Sequence, residues 1–508
     1  MSNIKRVSDV ISVQDIHNWE DGDVITIKAG TGSGKSYFIK NRLFIHAKDN
    51  NKKILMLIHR SNCVDQFQRE IEKDRKSKNI VVKTYQSVEE YRKKHNKSFL
   101  NKFDYIVCDE FHYFMSDANF NQSTDISLTE ILNQKDKVRI FMSATGYYMD
   151  QYMREIKSVN PISYKIPINY DYIKSLHFFH QESTLEKLIG GFIKRKEKAI
   201  VFVESVQVAY QLHRQFKEHT LFNCSKSNKK HYKHVKSKAI EKMLDDENFN
   251  QLILITTRTL EAGVNIVDDQ LHNIVVSGMY DTGTIIQCVG RKRIEDNKPN
   301  DYINLYIESN SNKKLGGIKG QINRRLQKAE YVRSHGTEKY IKEYMRNTHD
   351  TSGVVYDDII KGEDKAIKRV NEMIYFKNKV DIVEINKMLN LGKFGFCKYI
   401  ADVFGFYDSQ KGWYDYKMVE KEENKSKLER YLDSLIGRQL IKEEQERLVR
   451  EINLKDSRGR LQKGLKTING YFNDNQFKYM LISKKTSKRV NGEPQSYTYW
   501  EVIGDIEL

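Results

Sequence analysis

Short apolar runs recur along the chain at intervals that suit buried strands. The first is 24–29 (VITIKA), followed by 54–58 (ILMLI), 104–108 (DYIVC) and 138–142 (VRIFM). Polar, helix-compatible stretches separate them. This alternation predicts a parallel sheet with crossover helices, because a strand covered on both faces reads as a continuous apolar run. Pro161 and Pro167 bracket an expected linker. A second set then begins at 199–203 (AIVFV), continues at 252–256 (LILIT) and 273–277 (NIVVS), and closes at 302–306 (YINLY). The pattern predicts two tandem α/β domains with parallel sheets, over 1–163 and 164–310. After residue 310 the texture turns charged and helical, predicting a mainly helical region over 311–450. The last segment, 451–508, reads as a small basic α+β module. In it KYMLISKK, Asn491-Gly492 and QSYTYWEVI form the pattern of a hairpin around a two-residue turn. No repeat of fixed period and no low-complexity tract is present.

Composition narrows the function classes. A chain of 508 residues with 39% hydrophobic and 11% aromatic residues is too rich for a disordered protein and long enough for about three domains. No apolar run approaches the ~18 residues that a membrane span needs. The start, MSNIKRVSDVISVQDIHNW, lacks the apolar segment of a secretory signal, so a cytoplasmic location is expected. The five cysteines, Cys63, Cys108, Cys224, Cys288 and Cys397, lie far apart with no CxxC pair. That spacing excludes a disulfide framework or a sequence-local zinc cluster. The formal net charge of +18 suits a polyanionic partner, most simply nucleic acid, and equally a Lys-rich protein from an AT-biased genome.

The candidate chemistry starts at Ala29-Gly30-Thr31-Gly32-Ser33-Gly34-Lys35-Ser36, directly after the first strand. Glycines let successive backbone N–H groups curl around phosphate oxygens, and the helix that follows adds its positive end. Lys35 is placed to reach the β- and γ-phosphates, and the Ser36 hydroxyl to ligate Mg²⁺. The strict phosphate-loop pattern has Gly where Ala29 stands. The second signal is Phe103 through His112, an apolar strand delivering Asp109 and Glu110 at its C-terminal end, where ligands sit in open α/β sheets. Asp109 can hold Mg²⁺, and Glu110 can orient and deprotonate an attacking water.

With these residues in place the chain resembles superfamily 2 helicases of the DExH type, and further motifs follow in order. Ser143-Ala144-Thr145 looks like the motif that couples hydrolysis to domain motion. His59, Arg60, Thr84, Gln86 and Ser87 fall where the first domain of this family contacts nucleic-acid backbone. In the second domain Glu204 and Ser205 end a strand in the same role. The run from Thr256 and Thr257 to Gly263 and Asn265 resembles the motif touching both strand and nucleotide. Gln287-Cys-Val-Gly-Arg291-Lys292-Arg293 resembles the arginine-finger motif. The resemblance covers about residues 25–295. It implies two RecA-like domains closing on ATP and Mg²⁺, with Arg291 reaching across to the γ-phosphate and Gln287 and His112 coupled across the cleft. Ile294 stands where most of the superfamily has the last arginine. Arg293 is one residue early, a spacing similar to herpesvirus-type origin-binding helicases and their phage relatives. This leaves open whether Lys292 or Arg293 is the second finger, and points to DNA before RNA and to phage or mobile-element replication. The adenine-reading glutamine of the family has only Gln14 as a match, about two residues short.

The charge excess is uneven: about +10 of it lies after residue 310. Residues 455–489 carry ten Lys+Arg and two Asp, with Tyr471, Phe472, Phe477 and Tyr479 interleaved. Basic residues can neutralise phosphates, while the aromatics can stack on bases or pack a core. A helix over 461–472 before the hairpin looks like a winged-helix module in contact with duplex DNA. Glu384 through Phe396 is a second helix-turn-helix candidate. Three functions are therefore expected in order: an ATP-dependent helicase or translocase, a nucleic-acid-stimulated ATPase that remodels without unwinding, and a sequence-specific origin-binding initiator.

Overall fold

The computed structural model describes residues 5–59, 61–95, 99–118, 124–258, 264–294, 301–344, 353–359, 366–475, 477–490 and 493–504. The chain divides into two compact units, residues 1–416 and 417–508.

Two parallel sheets form the first part of the larger unit. The first sheet contains β1 (Val24–Lys28), β2 (Ile54–Ile58), β3 (Ile80–Thr84), β4 (Tyr105–Asp109), β5 (Val138–Ser143) and β6 (Ile162–Lys165), in the order β3-β2-β4-β5-β1-β6. Every pairing in it is parallel. Alternate residues of these strands face two different cores. Ile25, Ile27, Met56, Val107 and Ile140 pack with Phe38, Ile39 and Phe67 on one face. Val24, Leu55, Ile106, Cys108 and Phe141 pack with Tyr113, Phe114 and Met149 on the other. Burial on both faces is why these strands read as unbroken apolar runs. The segment between Pro161 and Pro167 is not a free linker: β6 lies inside it and pairs with β1. Its exposed residues, Ile162 among them, carry little apolar periodicity, so an edge strand was invisible to pattern reading.

The second sheet contains β7 (Ile173–Phe179), β8 (Lys198–Val203), β9 (Thr220–Asn223), β10 (Ile253–Thr256), β11 (Leu271–Ser277) and β12 (Ile303–Glu308). Within residues 1–416 they run β7-β12-β11-β8-β10-β9, all parallel. The two sheets together are the tandem α/β architecture that the sequence predicts. From β12 the chain enters a long helical segment, Asn312–Tyr344, kinked where Gly336 takes φ 74°. The hairpin of β13 (Val355–Ile359) and β14 (Ala366–Val370) follows, then helices Glu372–Asn390 and Gly395–Val403. The helix-turn-helix candidate at 384–396 falls on these last two helices. Ile385, Met388, Phe396, Cys397 and Ile400 are buried there, so the apolar positions that suggested a recognition motif serve the interior of this unit.

The smaller unit has helices Val419–Asp433, Lys442–Ile452 and Leu465–Asp474 and an antiparallel hairpin, Tyr479–Val490 with Glu493–Gly504. Leu440 pairs with Trp500, adding a bridge beside the hairpin. Leu432, Leu448, Ile468, Phe472, Phe477 and Val502 form its core. Asn469 fixes the third helix to the hairpin by bonding both backbone groups of Leu481. The aromatics of 471–479 therefore pack this core, and Lys463, Lys466, Lys478, Lys484, Lys485 and Arg489 are exposed. The turn expected at Asn491-Gly492 lies outside the described residues. Among the described residues no helix is long and apolar enough to cross a membrane, and Cys108, Cys224, Cys288 and Cys397 are buried free thiols.

Candidate nucleotide-binding site

β1 ends at Lys28 and the chain turns through Gly30–Ser36 into a helix. Gly32 and Gly34 take φ of 80° and 83°, a backbone that glycine alone adopts without strain. Lys35 Nζ donates to the carbonyl oxygens of Ala29 and Gly30, each at 3.0 Å, which arches the loop over its own lysine. The N-terminal segment supports this loop from outside, with Val7 N–H donating to Ser33 O. Gln14, the only match to a base-reading glutamine, bonds Asn18 on its own helix and does not line the cavity described below.

β4 delivers Asp109 and Glu110 beside the loop. Glu110 has φ 49°, a left-handed backbone that costs about 1 kcal/mol or more outside glycine. Strain of this kind is tolerated where the surroundings fix a side chain. Here Glu110 accepts from Ser143 Oγ at 3.2 Å and lies 3.2 Å from His112 Nδ1 and 4.0 Å from Lys35 Nζ. His112 Nδ1 also lies 2.9 Å from Ser143 Oγ, and Thr145 N–H donates to the same hydroxyl. Burial alone would raise the Glu110 carboxyl. Lys35, the His112 hydrogen bond and Arg291 outweigh it and hold Glu110 well below the usual carboxylate range. Asp109 behaves oppositely: burial first, then the neighbouring Glu110 charge, push it up to about 6. Two adjacent carboxylates whose environments drive them apart can divide base and metal-ligand roles. Asp109 Oδ1 is buried without a hydrogen-bond partner, in the same cavity as the Ser36 hydroxyl. An orphaned carboxylate oxygen and a hydroxyl are hard donors and fit Mg²⁺, which keeps most of its other ligands from water and phosphate.

The second domain closes the cavity. Gln287 lies on helix Thr282–Val289, which ends against the loop carrying Arg291, Lys292 and Arg293. Gln287 Nε2 donates to Thr145 Oγ1 at 3.1 Å, and its Oε1 accepts from Arg291 Nη2 at 3.1 Å. Arg291 further donates to Gln287 O and Val264 O, so its guanidinium is held, 3% exposed, at the cavity wall. Lys292 and Arg293 part company. Lys292 is turned inward, paired with Asp301 at 2.6 Å and bonded to Asp268 O. Arg293 lines the cavity, held by Asn265 Oδ1 at 2.7 Å, with Nη1 buried and unpartnered. A Cβ on Gly32 would sit 3.6 Å from that same Nη1. Arg293, not Lys292, thus faces the phosphate loop.

The cleft has a volume of about 360 Å³ and is lined by Thr31, Gly32, Lys35, Ser36, Asp109, Glu110, Arg291 and Arg293 among others. Tyr37, Lys40, Phe67 and Glu70 form a wall that sequence reading missed; Lys40 pairs with Glu70 and lies over the Phe67 ring. Phe67 and Glu70 lie on helix Ser61–Lys73, whose apolar positions Val64, Phe67 and Ile71, at i, i+3 and i+7, were the one signal in the sequence.

The residues expected to touch nucleic acid differ in how far they are buried. His59 is buried, its Nε2 2.8 Å from Asp117, and it lines the cavity just described. Thr256 is fully buried at the end of β10. Thr84, Gln86 and Ser87 are half-buried; Thr84 and Ser87 bond each other, and Gln86 bonds Tyr113 OH. Glu204 and Ser205 are exposed at the end of β8, Glu204 pairing with Arg258 and Ser205 capping the next helix; Thr257 is half-buried. Arg60 and Gly263 lie outside the described residues.

Residues 3–147 match the protein family described as Type III restriction enzyme, res subunit. No curated protein matches the chain. Among solved structures it is similar to S. cerevisiae Dbp5 bound to RNA and ADP BeF3, with 17% identity over 58% of this chain and 81% of that one and a TM-score of 0.43. It is also similar to Mss116p bound to ssRNA and AMP-PNP, with 16% identity, 68% and 82% coverage and a TM-score of 0.45. A third similarity is to the DUF1998 helicase MrfA bound to DNA and AMPPNP, with 17% identity, 56% and 46% coverage and a TM-score of 0.43. The family match spans the phosphate loop, the Asp109–Glu110 pair and Ser143–Thr145, which is the first domain's share of the site.

Proposed function

We propose that the chain is an ATP-driven nucleic-acid helicase or translocase of the superfamily 2 DExH kind, acting on DNA in preference to RNA. The observation that carries this reading is the single cavity in which Lys35, Asp109 and Glu110 from one domain meet Arg291 and Arg293 from the other. A site built from both domains ties the presence of a triphosphate to the separation of the domains, which is what a stepping motor needs.

In this reading the phosphate-loop N–H groups and Lys35 bind the triphosphate. Ser36 and Asp109 hold Mg²⁺, which when bound neutralises phosphate charge. Glu110, kept ionised by Lys35 and His112, takes the proton of the attacking water. Arg291 neutralises charge on the transferred phosphoryl group. The Gln287–Thr145 bond joins that event to the loop after β5. The spacing of Arg291 and Arg293 supports a setting in phage or mobile-element replication, in the cytoplasm of the host cell.

Strand displacement from a forked duplex tests the unwinding claim. Displacement that needs ATP and is lost in Lys35→Ala supports it; DNA-stimulated turnover without displacement supports remodelling instead. A second reading, a sequence-specific initiator, is favoured by exposed lysines of the smaller unit: Lys466 on the third helix, Lys484 and Lys485 on the hairpin, and Lys463 and Lys478 just before each. Footprinting on the cognate genome separates the two. One short protected site, lost in the full-length Lys463→Glu/Lys466→Glu variant, supports the initiator.

A further inference from the structure

The helix Glu372–Asn390 carries none of the residues of the nucleotide site described above, yet it touches both sides of the cleft. Met373, Phe376 and Val380 bury in the core of the first domain, where Phe376 meets Tyr152 edge-on with ring centroids 5.2 Å apart. Another face presents Lys377, Asp381 and Glu384, at i, i+4 and i+7, so the three stack over about 10 Å of helix. Lys377 Nζ pairs with Asp281 Oδ2 at 2.9 Å and also with Asp381. Asp281 belongs to the second domain, and its other oxygen accepts from Thr284 N–H, capping the helix that carries Gln287. At the far end of the stack Glu384 accepts from Tyr148 OH at 2.7 Å, and Tyr399 OH lies 3.5 Å away. Tyr148 is three residues beyond Thr145, the residue Gln287 contacts.

We propose that helix Glu372–Asn390 is a strap that fastens both lips of the nucleotide cleft, with Lys377 and Glu384 as positioning residues for Arg291. Lys377 anchors the start of the finger helix through Asp281; Glu384 anchors the segment after Ser143–Thr145 through Tyr148. Between these anchors Gly283 packs on Thr145, where an added Cβ would lie 3.8 Å from the Thr145 Cβ. Burying a lysine is costly unless acceptors surround it. The two carboxylates around Lys377 keep it charged well above its ordinary range, and it in turn holds Asp281 ionised against burial. Lys377 and Asp281 are therefore both ionised at neutral pH, 2.9 Å apart. The span of the strap also explains why the chain continues past β12 within the same compact unit: the arginine finger is aimed by a segment some 90 residues downstream of it.

This inference rests on the NTPase reading, and one set of measurements separates their failures. Steady-state kcat and KM for ATP are measured with saturating thirty-nucleotide oligo-dT in full-length wild type, Asp281→Asn, Tyr148→Phe and the double variant. Asparagine caps a helix as well as aspartate does, so Asp281→Asn removes the charge without removing the cap. Each single variant should lose five-fold or more in kcat, with KM within two-fold and the melting temperature within a few degrees. A strap released at one end is already released, so the double variant should fall no further than the worse single. Lys35→Ala serves as the control. Variants with kcat within two-fold of wild type, or effects that multiply while the melting temperature drops, would overturn the strap and leave the NTPase reading standing. Wild-type turnover that survives Lys35→Ala would overturn the NTPase reading itself. If Asp281→Asn does not fold, Tyr148→Phe, which deletes one hydroxyl, decides alone by the same five-fold criterion.

Discussion

The side-chain amide of Gln287 donates to the Thr145 hydroxyl across 3.1 Å, joining the helix that leads to Arg291 with the loop that follows Ser143. Because the other end of the same amide holds Arg291 Nη2, one side chain reports the position of each domain to the other. Thr145→Val keeps the shape and deletes the hydroxyl. A lost hydrogen bond of this kind is worth about 1 kcal/mol, so kcat with nucleic acid should fall about five- to ten-fold with the KM for ATP nearly unchanged. A rise in KM with constant kcat would mean that the contact serves binding alone.

Gly290 packs directly on the phosphate loop. A Cβ there would lie 2.4 Å from Thr31 Oγ1 and 2.7 Å from Thr31 Cγ2, closer than real atoms approach. Gly290→Ala should therefore hold the cleft open and lower kcat by at least ten-fold. Thr31→Ala in the same chain removes the clashing atoms and should recover part of the loss. Steady-state kinetics of the two single variants and the double variant decide it, since an unrelated defect would show no recovery.

Two histidines of the α/β domains set a pH dependence of stability. His213 bonds Thr220 Oγ1 and stacks on Phe222; His46 packs between His17 and Tyr105. Burial, first of all, lowers both below the ordinary imidazole range. The folded chain thus binds protons less readily than the unfolded one. The contribution is whole above about pH 6.5 and is lost as pH falls through the lowered folded values. The melting temperature should fall between pH 7.5 and pH 5, and the slope should be shallower in His46→Gln/His213→Gln.

Gly316 and Gly317 sit inside the helical segment after β12, exposed, with nothing within 4 Å of an added Cβ. Alanine there should raise stability by up to about 1 kcal/mol per site, because glycine in a helix interior forfeits more backbone entropy. Thermal denaturation of Gly316→Ala and Gly317→Ala measures this; a fall would mean that the helix is not formed at that point.

Much of the candidate site was legible because its residues are local in sequence. The glycines before Lys35 and the carboxylates ending an apolar strand announce themselves by spacing, and both flank strands buried on two faces. Which of Arg293 and Lys292 faces the cavity was not legible. Adjacent basic residues look alike until one of them finds Asp301, nine residues further along the chain. His59 is similar: only the fold puts Asp117 beside it. The pairings of Lys377 and Glu384 were not legible for a further reason. Their partners, Asp281 and Tyr148, are about 96 and 236 residues distant, and a lone Lys or Glu on a helix reads as solvated surface.

The central claim is that nucleic acid and ATP are coupled through one cavity shared by two domains. The most direct test is ATP hydrolysis by the full chain with single-stranded DNA, duplex DNA, forked DNA and RNA, beside Lys35→Ala and Arg291→Ala. Turnover should rise at least ten-fold with DNA, more than with RNA, and be lost in both variants. Turnover indifferent to every nucleic acid, or unaffected by Arg291→Ala, would contradict the account.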